Sequence, residues 1–252
     1  MNFKDYFSGH AAAYAQFRPR YPPELFTYLA EIAPGRGRAW DCATGNGQTA
    51  IALAEFFASV VATDGSQIQL DQAAPHERVG YRCATAENSG LEDASCDLVT
   101  VSQALHWFDL DKFYSEARRV LRPNGVLAVW SYDLLRVTPE IDAALRHFYV
   151  DIVGPYWAPE RALVENGYRT LAFPFAELSP RPVFAMTARW HLGHLLGYLR
   201  TWSATQNFIK ANGYDPLPEV GASLLPLWGD AATERAITWP LGCRIGRKEP
   251  RI

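Results

Sequence analysis

The chain has 252 residues, 48% of them apolar and 20% charged, enough for one large domain or two small ones with a substantial buried core, and this excludes disorder for the bulk of it. With 24 Lys and Arg against 27 Asp and Glu the formal net charge is −3, so no global positive field is present to hold a polyanion, and nucleic acid is not an expected partner. No apolar run approaches the roughly 20 residues of a membrane span, and the opening MNFKDYFSGH lacks the apolar stretch of an export signal, so a cytoplasmic protein without a membrane partner is expected.

In chain order, Pro22-Pro23 opens a helix that runs to about Ala33, because proline is tolerated where an amide has no helical partner. From 35 to 132 short β-rich runs alternate with helical periodicity, the signature of a mostly parallel sheet with crossover helices. The strands fall at 38–42, 59–63, 79–83, 97–102 and 126–132, and the helices at 48–57, 66–74 and 109–121. In the last of these Leu110, Phe113, Tyr114, Ala117, Val120 and Leu121 make one apolar face. Asp109 and Asp111 stand in its first turn and Arg118, Arg119 and Arg122 at its end, before Pro123-Asn124-Gly125 stops it.

Beyond 133 the rhythm weakens. A helix is expected at 139–153, a Pro- and aromatic-rich lid or connector at 154–182, a strand at 184–190, helices at 192–211 and 218–228, and a last strand at 235–245. The four cysteines, Cys42, Cys83, Cys96 and Cys243, show neither a C-x-x-C pair nor histidine at finger spacing, so they read as small buried hydrophobes and no metal site is expected. Eight Trp, 12 Tyr and 13 Phe supply a core and also suit an apolar ligand pocket.

The sharpest feature is Asp41-Cys42-Ala43-Thr44-Gly45-Asn46-Gly47-Gln48, where the first strand turns into its helix. Gly45 and Gly47 let backbone approach a ligand and offer amides at a helix start; with Ala50 they also satisfy the weak dinucleotide fingerprint. Asp41 discriminates, because a pyrophosphate in this turn would meet a carboxylate at a cost on the order of a kcal/mol or more. A cationic ligand is favoured instead, and S-adenosylmethionine carries both an α-ammonium and a sulfonium. Asp64, ending the second strand, is placed to accept ribose hydroxyls, while Ala84-Thr85-Ala86-Glu87 after the third strand is placed to read an adenine edge.

With this loop, Asp64, the Ala86-Glu87 pair, the run Cys96 to Asp109 containing Ser102-Gln103-Ala104-Leu105-His106-Trp107-Phe108, and Leu121-Arg122-Pro123-Asn124-Gly125-Val126-Leu127, the chain resembles class I S-adenosylmethionine-dependent methyltransferases. Within them it is similar to the small-molecule branch related to trans-aconitate methyltransferase (methyltransferase type 11 domain). The resemblance covers about 35–132 and extends less firmly to Tyr14 through Pro22 and to Tyr198 through Ser203. It implies a Rossmann-like α/β fold, with helices on both faces of a seven-stranded, mostly parallel sheet whose last strand is antiparallel. It also implies a single domain of N-terminal cap helices (1–34), a cofactor-binding core (35–132), and substrate-side insertions with C-terminal strands (133–252).

Carried over residue by residue, the resemblance implies that Asp41 and Gly45 lie by the methionyl part of the cofactor, Asp64 by the ribose and Ala86 by the adenine, with Ala43, Gly47 and Glu87 also among the cofactor-binding residues. Gln103 would lie near the methionyl chain. Two positions depart from the family pattern, Ala43 where a first glycine is common and Thr85 where an acid is common. Arg18 could anchor a carboxylate of cofactor or acceptor, and Tyr14 would share its helical face. Methyl transfer needs alignment and exclusion of water rather than a nucleophile triad. A carboxylate acceptor would attack unaided, while a hydroxyl would use a base such as His106. The competing readings are an NAD-dependent oxidoreductase and a non-catalytic cofactor-binding module.

Overall fold

The structure is a computed structural model that describes residues 19–179 and 181–249, so Tyr14 and Arg18 lie outside the described residues. It opens with α1 (Pro23–Ile32), its first helical residue a proline, and continues with β1 (Arg38–Cys42), α2 (Gln48–Ala54), β2 (Ser59–Asp64) and the short α3 (Gln67–Leu70). Then come β3 (Val79–Cys83), β4 (Cys96–Ser102), a 3-10 turn (Leu105–Trp107), α4 (Leu110–Val120) and β5 (Leu121–Tyr132).

The second half holds α5 (Pro139–His147), which runs on as a π-helical turn (Phe148–Ile152), a 3-10 turn (Gly154–Tyr156), α6 (Arg161–Glu165), β6 (Ala176–Glu177) and β7 (Ala185–Trp190). It ends with α7 (Leu192–Arg200), α8 (Ser203–Asn212), α9 (Leu217–Trp228) and β8 (Arg235–Arg247). No described helix is long and apolar enough to cross a membrane.

The sheet order is β3-β2-β1-β4-β5-β8-β6, with β7 also paired to β8. The first five strands are parallel, as in Asp41 opposite Ala62 and Thr100, and β8 returns antiparallel to β5. Seven strands of five or more residues are thus joined by the two-residue β6. The long β8 serves three partners, its first half pairing with β7 and its second with β5 on one side and β6 on the other.

Burial on both faces explains why the central strands are short apolar runs. In β5, Val126, Ala128 and Trp130 belong to the core beneath α1, α2 and α5, whereas Leu127 and Val129 belong to the core beneath α4 and α6. The α4 face is the predicted one, with Phe113, Tyr114, Ala117 and Val120 buried, and Asp109 caps it by accepting from the Lys112 amide. Glu116 is buried as well. It accepts from the Ser89 amide and hydroxyl and from Arg119, so the carboxylate is fully engaged.

Several elements differ from expectation. The 66–74 helix tightens after Leu70 into i→i+3 bonds, Gln72 to Gln69 and Ala73 to Leu70. The 192–211 helix is two, because Trp202 takes an extended backbone (φ −68°, ψ 135°) and stacks on Phe148, 5.9 Å between centroids. The β5 strand begins at Leu121 rather than Val126, since the chain turns through Asn124 at φ 62° without leaving its neighbour.

Candidate active site

The sheet order reverses between β1 and β4, and in open α/β sheets that is the crevice in which ligands bind, beyond the carboxyl ends of the strands. Asp41 stands one residue before the end of β1 on one side of it and Gln103 follows β4 on the other. Asp41 is completely buried. Its two oxygens accept from the hydroxyls of Thr44, at 2.5 Å, and Thr100, at 2.8 Å. Burial, opposed by these bonds and reinforced by the nearby Asp64, pushes its pKa up to about 7. A carboxyl so poised gains most from a cation brought beside it.

The two glycines of the loop differ in purpose. Gly45 (φ 56°) has open space where a side chain would project, with Gln69 Oε1 the nearest atom at 4.0 Å. Gly47 (φ 85°) has none, because a Cβ there would collide with the ring and hydroxyl of Tyr81 from β3. Gly45 therefore leaves room for a ligand, whereas Gly47 makes room for the protein itself. Ala43 sits at φ 55°, in the left-handed region where glycine carries no steric cost.

Asp64 ties the turn together. One oxygen accepts from the Gly45 amide at 2.8 Å and the other from the Ser66 amide at 2.9 Å, which brings the acid of β2 against the glycine loop. Ala86 is buried, and Glu87 accepts from the Asp109 amide at 3.0 Å, so its carboxylate pins the start of α4. Thr85 is exposed.

Gln103 adopts φ 55°. Its amide continues the sheet ladder to the Trp130 carbonyl at 2.9 Å, and its side-chain nitrogen donates to the Tyr132 carbonyl at 3.1 Å. Its Oε1 is buried with no hydrogen-bond partner among the described residues. This oxygen belongs to a side chain on the wall of a cavity of about 270 Å³, lined also by His106, Tyr132, Asp133, Trp157, Arg161 and Trp202. That volume is near the lower end of small-ligand pockets.

His106 is held by Tyr168, whose hydroxyl lies 2.9 Å from Nδ1. Tyr168 is fully buried, burial pushes its pKa far up, and the Leu105 backbone donates to its oxygen. A Tyr168 hydroxyl that donates to Nδ1 leaves the hydrogen of the neutral imidazole on Nε2. Burial, with the charge of Arg161 added, pulls the His106 pKa down to about 3. The imidazole is thus neutral at physiological pH.

Sequence reasoning reached Asp41, Ala43, Gly45, Gly47, Asp64, Gln103 and His106, all of which stand at the carboxyl ends of β1, β2 and β4. It missed Thr44 and Thr100 as the clamp on Asp41, and Tyr168 and Arg161 around His106. An unremarkable threonine two residues before the end of β4 gave no signal for the first. The others arrive from a segment that offered only aromatic content. Among the described residues no cluster of His, Cys, Asp and Glu could hold a metal.

A buried carboxyl at the β1 turn, an open glycine position and a buried amide oxygen with no partner among the described residues suit the amino-acid end of S-adenosylmethionine better than a diphosphate. A profile of the methyltransferase domain matches residues 40–129. A Dictyostelium discoideum protein named as a methyltransferase is 37% identical over 227 residues, 88% of this chain and 86% of its own. A Mycobacterium tuberculosis protein named as an uncharacterized methyltransferase is 39% identical over 128 residues, 50% of this chain and 51% of its own. The solved structure of a protein from Anaeromyxobacter dehalogenans, named as a type II methyltransferase, is 47% identical, with a TM-score of 0.88 covering 93% of this chain and 100% of that one. These relatives decide between the two cofactors that the glycine loop allowed. The chain belongs to the class I S-adenosylmethionine-dependent methyltransferases, with S-adenosylmethionine as its cofactor.

Proposed function

We propose that this enzyme methylates an oxygen of a small-molecule acceptor, a carboxylate in preference to a hydroxyl, seated in the cavity beside Gln103 and His106. The observation that carries the reading is the continuity of the site: Gln103 directly follows the cofactor strand β4 and lines the cavity. When bound, S-adenosylmethionine supplies a methyl group made electrophilic by its sulfonium. The residues of this chain bind, orient and exclude water.

In this reading Asp41 meets the α-ammonium, and Ala43, Gly45 and Gly47 shape the turn around the methionyl chain. Asp64 takes the ribose hydroxyls alongside its two amides, and Ala86 packs against the adenine while Glu87 steadies the loop. Gln103 Oε1 accepts from a donor on the methionyl side of the cofactor. Tyr14 and Arg18 remain candidates for the carboxylate end of either ligand.

His106 acts as a hydrogen-bond donor to the acceptor. A general base works best with a pKa near the operating pH, and an imidazole held near 3 with its hydrogen on Nε2 is poorly suited to removing a proton. A carboxylate acceptor has no proton to remove, which is why it is favoured. The test is a panel of carboxylic acids and phenols of comparable size, followed by mass spectrometry of the products. Methyl esters from the acids support the reading, and methyl ethers alone, lost in H106A, would restore the histidine as base.

A further inference from the structure

Arg161, from α6, lies on the cavity wall with its guanidinium fixed at one edge and unfilled at the other. Its Nε donates to the Tyr149 hydroxyl at 2.6 Å, and that hydroxyl donates to Glu165 at 2.6 Å, so the plane of the fork is set from outside the cavity. The terminal nitrogens have no hydrogen bond among the described residues. Their one acidic neighbour, Asp133, stands 3.8 Å from Nη2, beyond hydrogen-bond reach, and is half exposed. A second donor on the same wall, the indole nitrogen of Trp157, is buried without a partner among the described residues.

We propose that Arg161 is the specificity-determining anchor of the acceptor, taking a single carboxylate in place of Asp133 while Trp157, Tyr156 and Trp202 enclose a flat, apolar body. This rests on the reading of the cavity as the acceptor site and names the acceptor class. The aromatic walls with Asp133 could suggest a cage for an organic cation. The guanidinium already lies 4.7 Å from the Trp157 ring centroid and 5.4 Å from that of Tyr149, so a cationic ligand would enter beside a like charge. A dianion would carry its second charge toward Asp133. One negative charge on a planar frame satisfies the guanidinium fork, which matches a carboxylate in geometry as well as charge.

The experiment uses the full chain saturated with S-adenosylhomocysteine, and measures by calorimetry the binding of trans-cinnamate and of its uncharged counterpart cinnamamide. Cinnamate is expected to bind at least tenfold more tightly. R161Q should equalise the two, leaving cinnamamide and S-adenosylhomocysteine affinities unchanged. D133N should strengthen cinnamate several-fold without affecting cinnamamide, which places the carboxylate beside Asp133 even if R161Q fails to fold, and R161K, which keeps the charge, should retain most of the preference that R161Q loses, a charge dependence that a merely structural arginine would not produce. Equal binding of acid and amide by the wild type, no binding of cinnamate, a preference surviving in R161Q, or no gain in D133N overturns the proposal. Failure of the wild type to bind S-adenosylhomocysteine would instead bring down the placement of the site, and the proposal with it.

Discussion

The buried carboxyl of Asp41 makes cofactor binding a proton-coupled event. It titrates near 7 in the folded protein, against an ordinary value of 3.8. Between those values the folded chain keeps a proton that the unfolded chain has lost. Its contribution to stability is therefore full below about pH 3.8 and falls by about 1.4 kcal/mol per pH unit until the pH passes about 7, up to roughly 4 kcal/mol in all. The α-ammonium of the cofactor selects the ionised form, so affinity should rise about tenfold per pH unit toward 7. It should fall again above about 8, where an α-amino group loses its own proton.

D41N keeps the shape and an acceptor for one of the Thr44 and Thr100 hydroxyls, offers an amide donor to the other, and cannot ionise. It should bind S-adenosylhomocysteine about 1.5–3 kcal/mol more weakly, the worth of a hydrogen bond to a charged group. Its affinity should be flat below pH 7, and in the absence of ligand it should be more stable than the wild type at pH 8. Calorimetry in two buffers of different ionisation enthalpy reads both the affinity and the proton released. A wild-type affinity constant from pH 5.5 to 7 with no proton release, or an apo D41N no more stable at pH 8, refutes the reasoning.

Other consequences follow from the same turn. Ala43 at φ 55° is strained, so A43G should raise stability to urea by up to about 1 kcal/mol and bind the cofactor at least as well; a loss of stability would show that the methyl group is needed. G45A and G47A separate ligand space from protein space. G47A should cost stability by roughly 2 kcal/mol or more, because a methyl must displace the Tyr81 ring, whereas G45A should cost about 1–2 kcal/mol through backbone strain and lose cofactor affinity out of proportion. D64A should weaken S-adenosylhomocysteine by about 1–3 kcal/mol, and an unchanged affinity would remove its ribose role. Y168F takes the proton donor from His106 Nδ1, so its imidazole should titrate differently by NMR with little change in S-adenosylhomocysteine binding; an unchanged titration would mean the contact does not set the tautomer.

What the sequence reveals here tracks the range of the interactions involved. Strands buried on both faces announce themselves as apolar runs, so β1 ends where the spacing places it, and β2 and β4 differ by one residue. The helical face of α4 is equally local, because Phe113, Ala117 and Val120 lie one turn apart. Trp202 is not local: it splits a helix to stack on Phe148, a partner far away in the chain, and no periodicity within 192–211 records that.

The site divides along the same line. Asp41, Gly45 and Asp64 sit at strand ends that pattern alone locates. Tyr168 meets His106 across 62 positions of sequence, at φ 61°, and Arg161 is aimed by Tyr149 and Glu165 from neighbouring turns. Gly47 carries a further lesson. Its motif suggests ligand approach, yet the space beside it is taken by Tyr81, a residue whose place next to the loop depends on the pairing of β2 with β3.

A crystal structure with S-adenosylhomocysteine bound tests the placement most directly. Its α-ammonium should lie within hydrogen-bond distance of the Asp41 carboxylate or of groups held by it, with the sulfur facing the cavity that Gln103, His106 and Arg161 line. An amino-acid end lodged away from the β1 turn, or a sulfur walled off from that cavity, would contradict it.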